Sequence, residues 1–260
     1  MSSREWWVER LEGIEVWTID GEARRNALSR AMIRELQENL ARIREDRALR
    51  CVVITGKGDK AFCAGADLKE RVSMSADDVH HFHESLRAAF RGIESASQAF
   101  VAALNGAALG GGLEMALACD LRVAAEGVEM GLPEVGLGII PGGGGTVRLP
   151  RAIGVARAKD LILTGRRVGA AEALSMGLVS RVAPGDTLRE VALETAGMIA
   201  RNAPVSIRQA KRAVDGALHL GIDEALGFEN RMYQACLGTK DRVEALRAFA
   251  EKRKPVFTGE

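Results

Sequence analysis

Aromatic residues are scarce in this chain: three tryptophans, one tyrosine and seven phenylalanines make up 4% of 260 residues. That leaves little for a surface that stacks nucleic-acid bases. A surplus of charge is missing as well. The net charge is +1, from 36 lysines and arginines against 35 acids, so no global field favours nucleic acid or a membrane surface. The four cysteines, Cys51, Cys63, Cys119 and Cys236, are scattered with no CxxC pair, which reads as reduced thiols in a cytoplasmic protein. No long uncharged apolar run is present, and the first seven residues, through Trp6 and Trp7, lack the apolar core of a signal peptide. No G-x-S-x-G anchors a serine triad, and no glycine-rich stretch ends in the Gly-Lys-Ser/Thr of a phosphate-binding loop.

What is present is a chain long enough for one large domain, or one domain and an extension, with an ordinary 47% of hydrophobic residues. Residues 8–10 and 14–19 alternate like the strands of a hairpin around Glu12 and Gly13. Ser29 is an N-cap for a helix over about 30–44, with Met32, Leu36, Leu40 and Ile43 on one face. Short apolar strands follow at 51–55, 100–104 and 120–125, and Ser75 with Asp78 makes a capping-box start for a second helix. Alternation of strand, loop and helix predicts α/β layers. After about residue 186 the strand signals stop. Thr187 and Glu190 form a capping-box pattern, and helix-period segments run over 187–201, 204–217, 221–236 and 239–251. No strong internal repeat is visible.

Four places carry candidate chemistry. Gly110, Gly111 and Gly112 run directly into 113–118, which reads as a buried helix with Glu114 just past the glycines. Bare backbone at a helix start lets a ligand approach, and the free N–H groups and the dipole there stabilise a phosphate or a developing oxyanion. The plainer reading is close helix packing, with Glu114 simply favourable at the N-terminal end. Ala64, Gly65 and Ala66, between a strand and a helix, present backbone for a ligand, or else form a tight turn with Asp67 as N-cap. Pro133 fixes the chain before Glu134, itself either a surface turn residue or a second carboxyl group, and a glycine loop follows at 142–145. His80, His81 and His83 lack the partners of a metal site and read as a solvated helix face.

Taken together and in this order, three of these motifs resemble the crotonase superfamily, the enoyl-CoA hydratase/isomerase family, over nearly the whole chain. They are Phe62 through Lys69, Asn105 through Glu114, and Pro133-Glu134 with the Pro141–Thr146 glycine loop. The resemblance implies a spiral of ββα units over residues 1–195 and a C-terminal helical trimerisation region over 196–260, assembled as a homotrimer or a hexamer. It implies an acyl-CoA thioester substrate and no metal or other cofactor beyond its CoA moiety. The N–H groups of Ala66 and Gly111 match the oxyanion hole, and Glu114 and Glu134 match the two carboxyl groups of the hydratases. Ala64, Asp67, Leu68 and Lys69 match the CoA-holding segment, Arg24 and Arg25 an early loop near the CoA phosphates, and Tyr233 and Lys252 C-terminal contacts to CoA.

Several stretches are similar to the methylglutaconyl-CoA hydratase branch, among them Cys63 through Arg71, Leu113 through Asp120, and Arg148 through Gly154. That similarity implies hydration of 3-methylglutaconyl-CoA in leucine breakdown, with a cation facing the free carboxylate of the acyl group. The alternatives are a general short-chain hydratase of fatty-acid β-oxidation, an enoyl-CoA isomerase, a non-catalytic CoA-binding scaffold, and an RNA-binding protein. A branch relative also binds AU-rich RNA through a lysine-rich early helix. Here Arg30 and Arg34 are followed by Glu38 in the same row, and Glu35, Glu45 and Asp46 dilute the charge, so nucleic acid is not an expected partner.

Overall fold

The computed structural model describes residues 4–260; the first three residues of the N-terminal stretch lie outside that description. The expected hairpin is present. β1 (Trp6–Leu11) and β2 (Ile14–Ile19) pair antiparallel across Glu12 and Gly13. Trp6 and Trp17 lie edge-on to each other with ring centres 6.4 Å apart, and Trp17 meets Phe100 at 5.6 Å, which uses two of the three tryptophans in the core. α1 (Arg30–Ile43) starts where Ser29 Oγ accepts the N–H of Met32, and it buries Met32, Ile33, Leu36 and Ile43, with Leu40 partly covered.

From there the chain winds through the same turn three times. β3 (Cys51–Gly56) and β4 (Ala61–Cys63) lead to α2 (Leu68–Val72) and α3 (Ala76–Ser95). β5 (Ala99–Leu104) and β6 (Ala107–Leu109) lead to α4 (Gly111–Ala118). β7 (Leu121–Ala125) and β8 (Glu129–Gly131) lead through a 3₁₀ turn, Glu134–Leu137, to α5 (Gly145–Ile153) and α6 (Val155–Thr164). The first strand of each turn joins a six-stranded sheet and the second a four-stranded one. With β9 (Val168–Gly169), α7 (Ala170–Ser175) and β10 (Arg181–Ala183), the orders are β1-β2-β3-β5-β7-β10 and β4-β6-β8-β9. β3, β5 and β7 are parallel neighbours, as are β4, β6 and β8, because a helix or long loop returns the chain to the same end each time. This is a structural repeat without a sequence repeat: strands of three residues carry too little pattern to read.

α8 (Leu188–Ala200) covers the large sheet with Leu188, Ala192, Thr195 and Ala196. Its expected capping box does not form. Thr187 has φ −102° and ψ −2°, away from the extended backbone a cap requires, and its hydroxyl donates to the carbonyl of Pro184 instead. α3 does form its box, with Ser75 and Asp78 bonding reciprocally. α9 (Pro204–Ala217), α10 (Ile222–Leu237) and α11 (Lys240–Ala250) match the remaining helix-period segments. They bury almost nothing of their own, while Leu218, Leu226, Leu246 and Phe249 stay exposed. Among the described residues no helix is long and apolar enough to cross a membrane. The architecture is α/β, with a helical C-terminal region.

Candidate active site

The C-terminal ends of β4, β6 and β8 meet at one cleft of about 1100 Å³. After β4, Leu28 pairs with the chain on either side of Ala66: its N–H donates to the Gly65 carbonyl at 2.7 Å and its carbonyl accepts the Asp67 N–H at 2.9 Å. That parallel bridge leaves the Ala66 N–H pointing the other way, into the cleft. After β6, Gly110 holds φ +52°, a backbone that side chains rarely adopt, and turns the chain abruptly into α4. Gly112 lets α4 lie directly on β4, since a Cβ there would run into the Cys63 carbonyl. Gly111, the first residue of α4, has no intrahelical acceptor for its N–H. A Cβ built on Gly65 would stand 3.4 Å from that nitrogen, and one on Gly111 would stand 3.8 Å from the Ala66 nitrogen. Two amide nitrogens therefore lie near each other on residues that line the cleft, one of them at the positive end of a helix.

Glu114 lies one turn into α4 and is 2% exposed. Its Oε1 accepts the Gly145 N–H at 2.7 Å. Burial raises the affinity of this carboxyl group for a proton, and the N–H groups of Gly145, Gly143 and Gly144, with the charge of Arg148, pull it back. Arg148 also fixes the loop itself. Its Nη1 donates to the Gly143 carbonyl at 2.9 Å, while Nε and Nη2 grip Glu94 of α3 at 3.0 Å each.

Glu134 opens the 3₁₀ turn after Pro133 and is 8% exposed. The surface-turn reading of this residue fails, because its carboxyl group turns inward against Gly110 at the start of α4. Burial pushes its carboxyl group up to about 7; its own backbone N–H opposes the shift and the charge of Glu114 adds to it. Its Oε2 is buried without a hydrogen-bond partner among the described residues. The two glutamates thus hold unequal environments around one cleft: backbone N–H groups oppose the effect of burial at Glu114, whereas Glu134 lacks such a cradle and is pushed up to about 7.

Of the residues singled out in the sequence, Ala64, Ala66, Leu68, Gly111, Glu114 and Glu134 line this cleft. Asp67 caps α2 by accepting from Lys69 and Glu70, so the tight-turn reading holds as well. Lys69 is exposed on the same helix. Arg24 is tied to Glu5, and Arg25, at φ 54°, accepts the Ala64 N–H with its carbonyl. Tyr233 is 60% exposed on α10 and Lys252 follows α11; Arg24, Arg25, Tyr233 and Lys252 are not among the residues lining the cleft.

The structure also brings in side chains to which the sequence assigns no role in the site. Arg71 of α2 and Phe82, His83 and Arg87 of α3 line the cleft. The solvated-face reading fails for His83, which is half-buried against Gly142 and whose affinity for a proton is lowered by burial and by Arg87. Val79, His83 and Arg87 recur every four residues, a helical face whose partner was not visible in the sequence.

Comparison with known proteins gives this geometry a family. The enoyl-CoA hydratase/isomerase family model matches residues 9–260. The chain is 43% identical over 257 residues to the enoyl-CoA isomerase/hydratase fer4 of Mycosarcoma maydis, covering 96% of this chain and 94% of that protein. It is 42% identical over 256 residues to the mitochondrial methylglutaconyl-CoA hydratase of Homo sapiens, covering 97% and 76% respectively. The crystal structure of enoyl-CoA hydratase from Bacillus anthracis superposes with a TM-score of 0.97 at 46% identity, covering 99% of this chain and 100% of that one. Similar sequence, a shared fold and a cleft that holds amide donors and two carboxyl groups agree, and the chain belongs to the enoyl-CoA hydratase/isomerase family, the crotonase superfamily.

Proposed function

We propose that this protein is an enoyl-CoA hydratase, reversibly adding water across the Cα=Cβ bond of an acyl-CoA thioester. The observation that carries this reading is the unequal pair of buried glutamates beside two neighbouring amide nitrogens. The N–H groups of Ala66 and Gly111 bind the thioester oxygen and take up the charge that develops there. Glu114, as carboxylate, accepts a proton from water while the water oxygen bonds to Cβ. The π electrons move through Cα to the thioester oxygen, and the resulting enolate collapses as Cα takes the proton of Glu134. Glu114 ends protonated and Glu134 ionised, and exchange with solvent resets the pair. An isomerase needs to move only one proton between carbons, whereas the Gly143–Gly145 cradle holds a second carboxylate ready for water. This scheme uses no group beyond the CoA moiety of the substrate. Ala64, Asp67, Leu68 and Lys69 are the proposed CoA-holding segment, with Arg24 and Arg25 for its phosphates.

The preferred substrate is proposed to be 3-methylglutaconyl-CoA, as in leucine degradation; the 42% identity to the human methylglutaconyl-CoA hydratase supports this choice. A homotrimer or hexamer is proposed from the exposed apolar side chains of α9–α11, with Tyr233 and Lys252 completing CoA sites outside their own cleft. Unpaired Cys51, Cys63, Cys119 and Cys236 support a reducing compartment, proposed to be the cytoplasm. Nucleic acid is not a proposed partner, since Arg30 is paired with Glu70 and Asp78, and Arg34 lies 3.8 Å from Glu38. The test is turnover of 3-methylglutaconyl-CoA against crotonyl-CoA on one preparation. A higher kcat/KM for the branched, carboxylate-bearing substrate is expected. A preference for crotonyl-CoA would make this a general short-chain hydratase, and no hydration of either would remove the hydratase reading.

A further inference from the structure

The cleft is mainly apolar, yet its α2–α3 wall carries two arginines, Arg71 and Arg87. Neither pairs with a carboxylate among the described residues, and the acids nearest in sequence are committed elsewhere. Glu70 and Asp78 bind Arg30, each at 3.1 Å, and Glu84 binds His80 at 3.2 Å. Arg71 stands over the ring of Phe82, Arg87 follows His83 by one turn of the same helix, and both arginines line the same cleft. The guanidinium of Arg71 sits 5.7 Å from the ring centre of Phe82, within cation–π range. These cations do not serve the catalytic glutamates: the charge acting most on Glu114 is that of Arg148, and on Glu134 that of Glu114.

We propose that Arg71 and Arg87 form a carboxylate-reading pair that selects acyl chains bearing a distal negative charge. This rests on the hydratase reading and names how the same cleft chooses its substrate. A carboxylate entering an apolar cleft loses its water and requires a charged partner. An arginine fork supplies one in bidentate form and with a fixed plane. A neutral acyl chain in the same place leaves both arginines without an anion, so the pair discriminates against uncharged substrates as well as favouring charged ones.

A CoA phosphate is the other anion this chemistry would accept, and crotonyl-CoA carries the same CoA. The experiment is therefore kcat/KM for 3-methylglutaconyl-CoA and crotonyl-CoA in the full-length wild type, Arg71→Met, Arg71→Lys and Arg87→Met. The ratio of the two values is expected to fall about 30- to 100-fold in Arg71→Met and about 10-fold in Arg87→Met, with Arg71→Lys between wild type and Met. Wild type is also expected to discriminate against the carboxamide analogue of the branched substrate, which needs no substitution to test. Ratios unchanged in both methionine variants would overturn the pair, as would equal losses on both substrates, which would mark a CoA contact. A wild-type preference for crotonyl-CoA would remove the carboxylate-bearing substrate itself, whereas a preference that survives both substitutions removes only the arginines.

Discussion

Two buried carboxylate regions of this molecule have opposite characters. Glu15, on β2, is 1% exposed and fully engaged: Arg42 grips both oxygens at 3.0 and 2.7 Å, Arg10 donates at 2.9 Å and Trp17 Nε1 at 2.8 Å. Burial alone would raise its proton affinity, but these donors outweigh burial and hold the carboxyl group below its ordinary range. Glu114 and Glu134 are buried to a similar degree and shifted the other way. Glu114 has backbone donors but no arginine bonded to it, and Glu134 has an unpartnered oxygen. Burial of a carboxyl group is therefore not by itself a sign of chemistry. What separates structure from function here is whether the donors around the group outweigh its desolvation.

Neutral substitution at the three glutamates breaks this contrast most directly. Glu114→Gln and Glu134→Gln are each expected to lower hydration kcat/KM by about 10²–10⁴-fold with the fold intact, measured by turnover alongside circular dichroism. Near-wild-type turnover in either variant would remove the assigned roles. In the wild type, kcat/KM is expected to fall as pH rises through about 7, because Glu134 then loses the proton it is proposed to give to Cα. Hydration releases no net proton, so the dehydration direction should trace the same profile; divergent profiles would mean that the pair does not share one proton.

Glu15→Gln should act on stability alone. Two arginines and an indole lose their anion, an expected loss of about 2 kcal/mol in urea unfolding with kcat within about twofold of wild type. The smallest effect has the opposite sign. Between its ordinary 4.5 and about 7, Glu134 is protonated in the folded protein and ionised in the unfolded chain. Its presence therefore lowers stability as pH rises through that window. Glu134→Gln is expected to stabilise the fold by about 1–2 kcal/mol at pH 8 and to lose that advantage by pH 4.5, readable as a pH-dependent difference in unfolding midpoint. A variant less stable than wild type at pH 8 would contradict the unpaired, burial-dominated environment of this group.

Much of this was legible in the chain itself. The hairpin, α1 with its Ser29 cap, the box at Ser75 and Asp78, and the C-terminal helices all follow from local pattern and local hydrogen bonding. The cleft was legible only through its glycines, because the unusual backbone of Gly110 and the close approach at Gly112 leave a mark in composition. Arg71, His83 and Arg87 left none. An arginine on a helix looks the same whether it faces solvent or a cleft, and the partner wall, at residues 137–147, is fifty or more positions away from all three. Thr187 failed for a related reason: the turn at Pro184 claimed its hydroxyl.

The spiral acts as a ruler. Parallel neighbours in a sheet stand about 4.8 Å apart, and β4, β6 and β8 each end in one part of the cleft: the Ala66 amide, the Gly111 amide with Glu114, and Glu134. The spacing between charge-holding amides and proton-bearing groups is thus set in strand widths by backbone hydrogen bonds, independent of the rotamers of long side chains. Altering what one strand end carries leaves the other two graduations where they are, so the same frame can keep the amide site proposed for a thioester oxygen while the group presented beside it is exchanged.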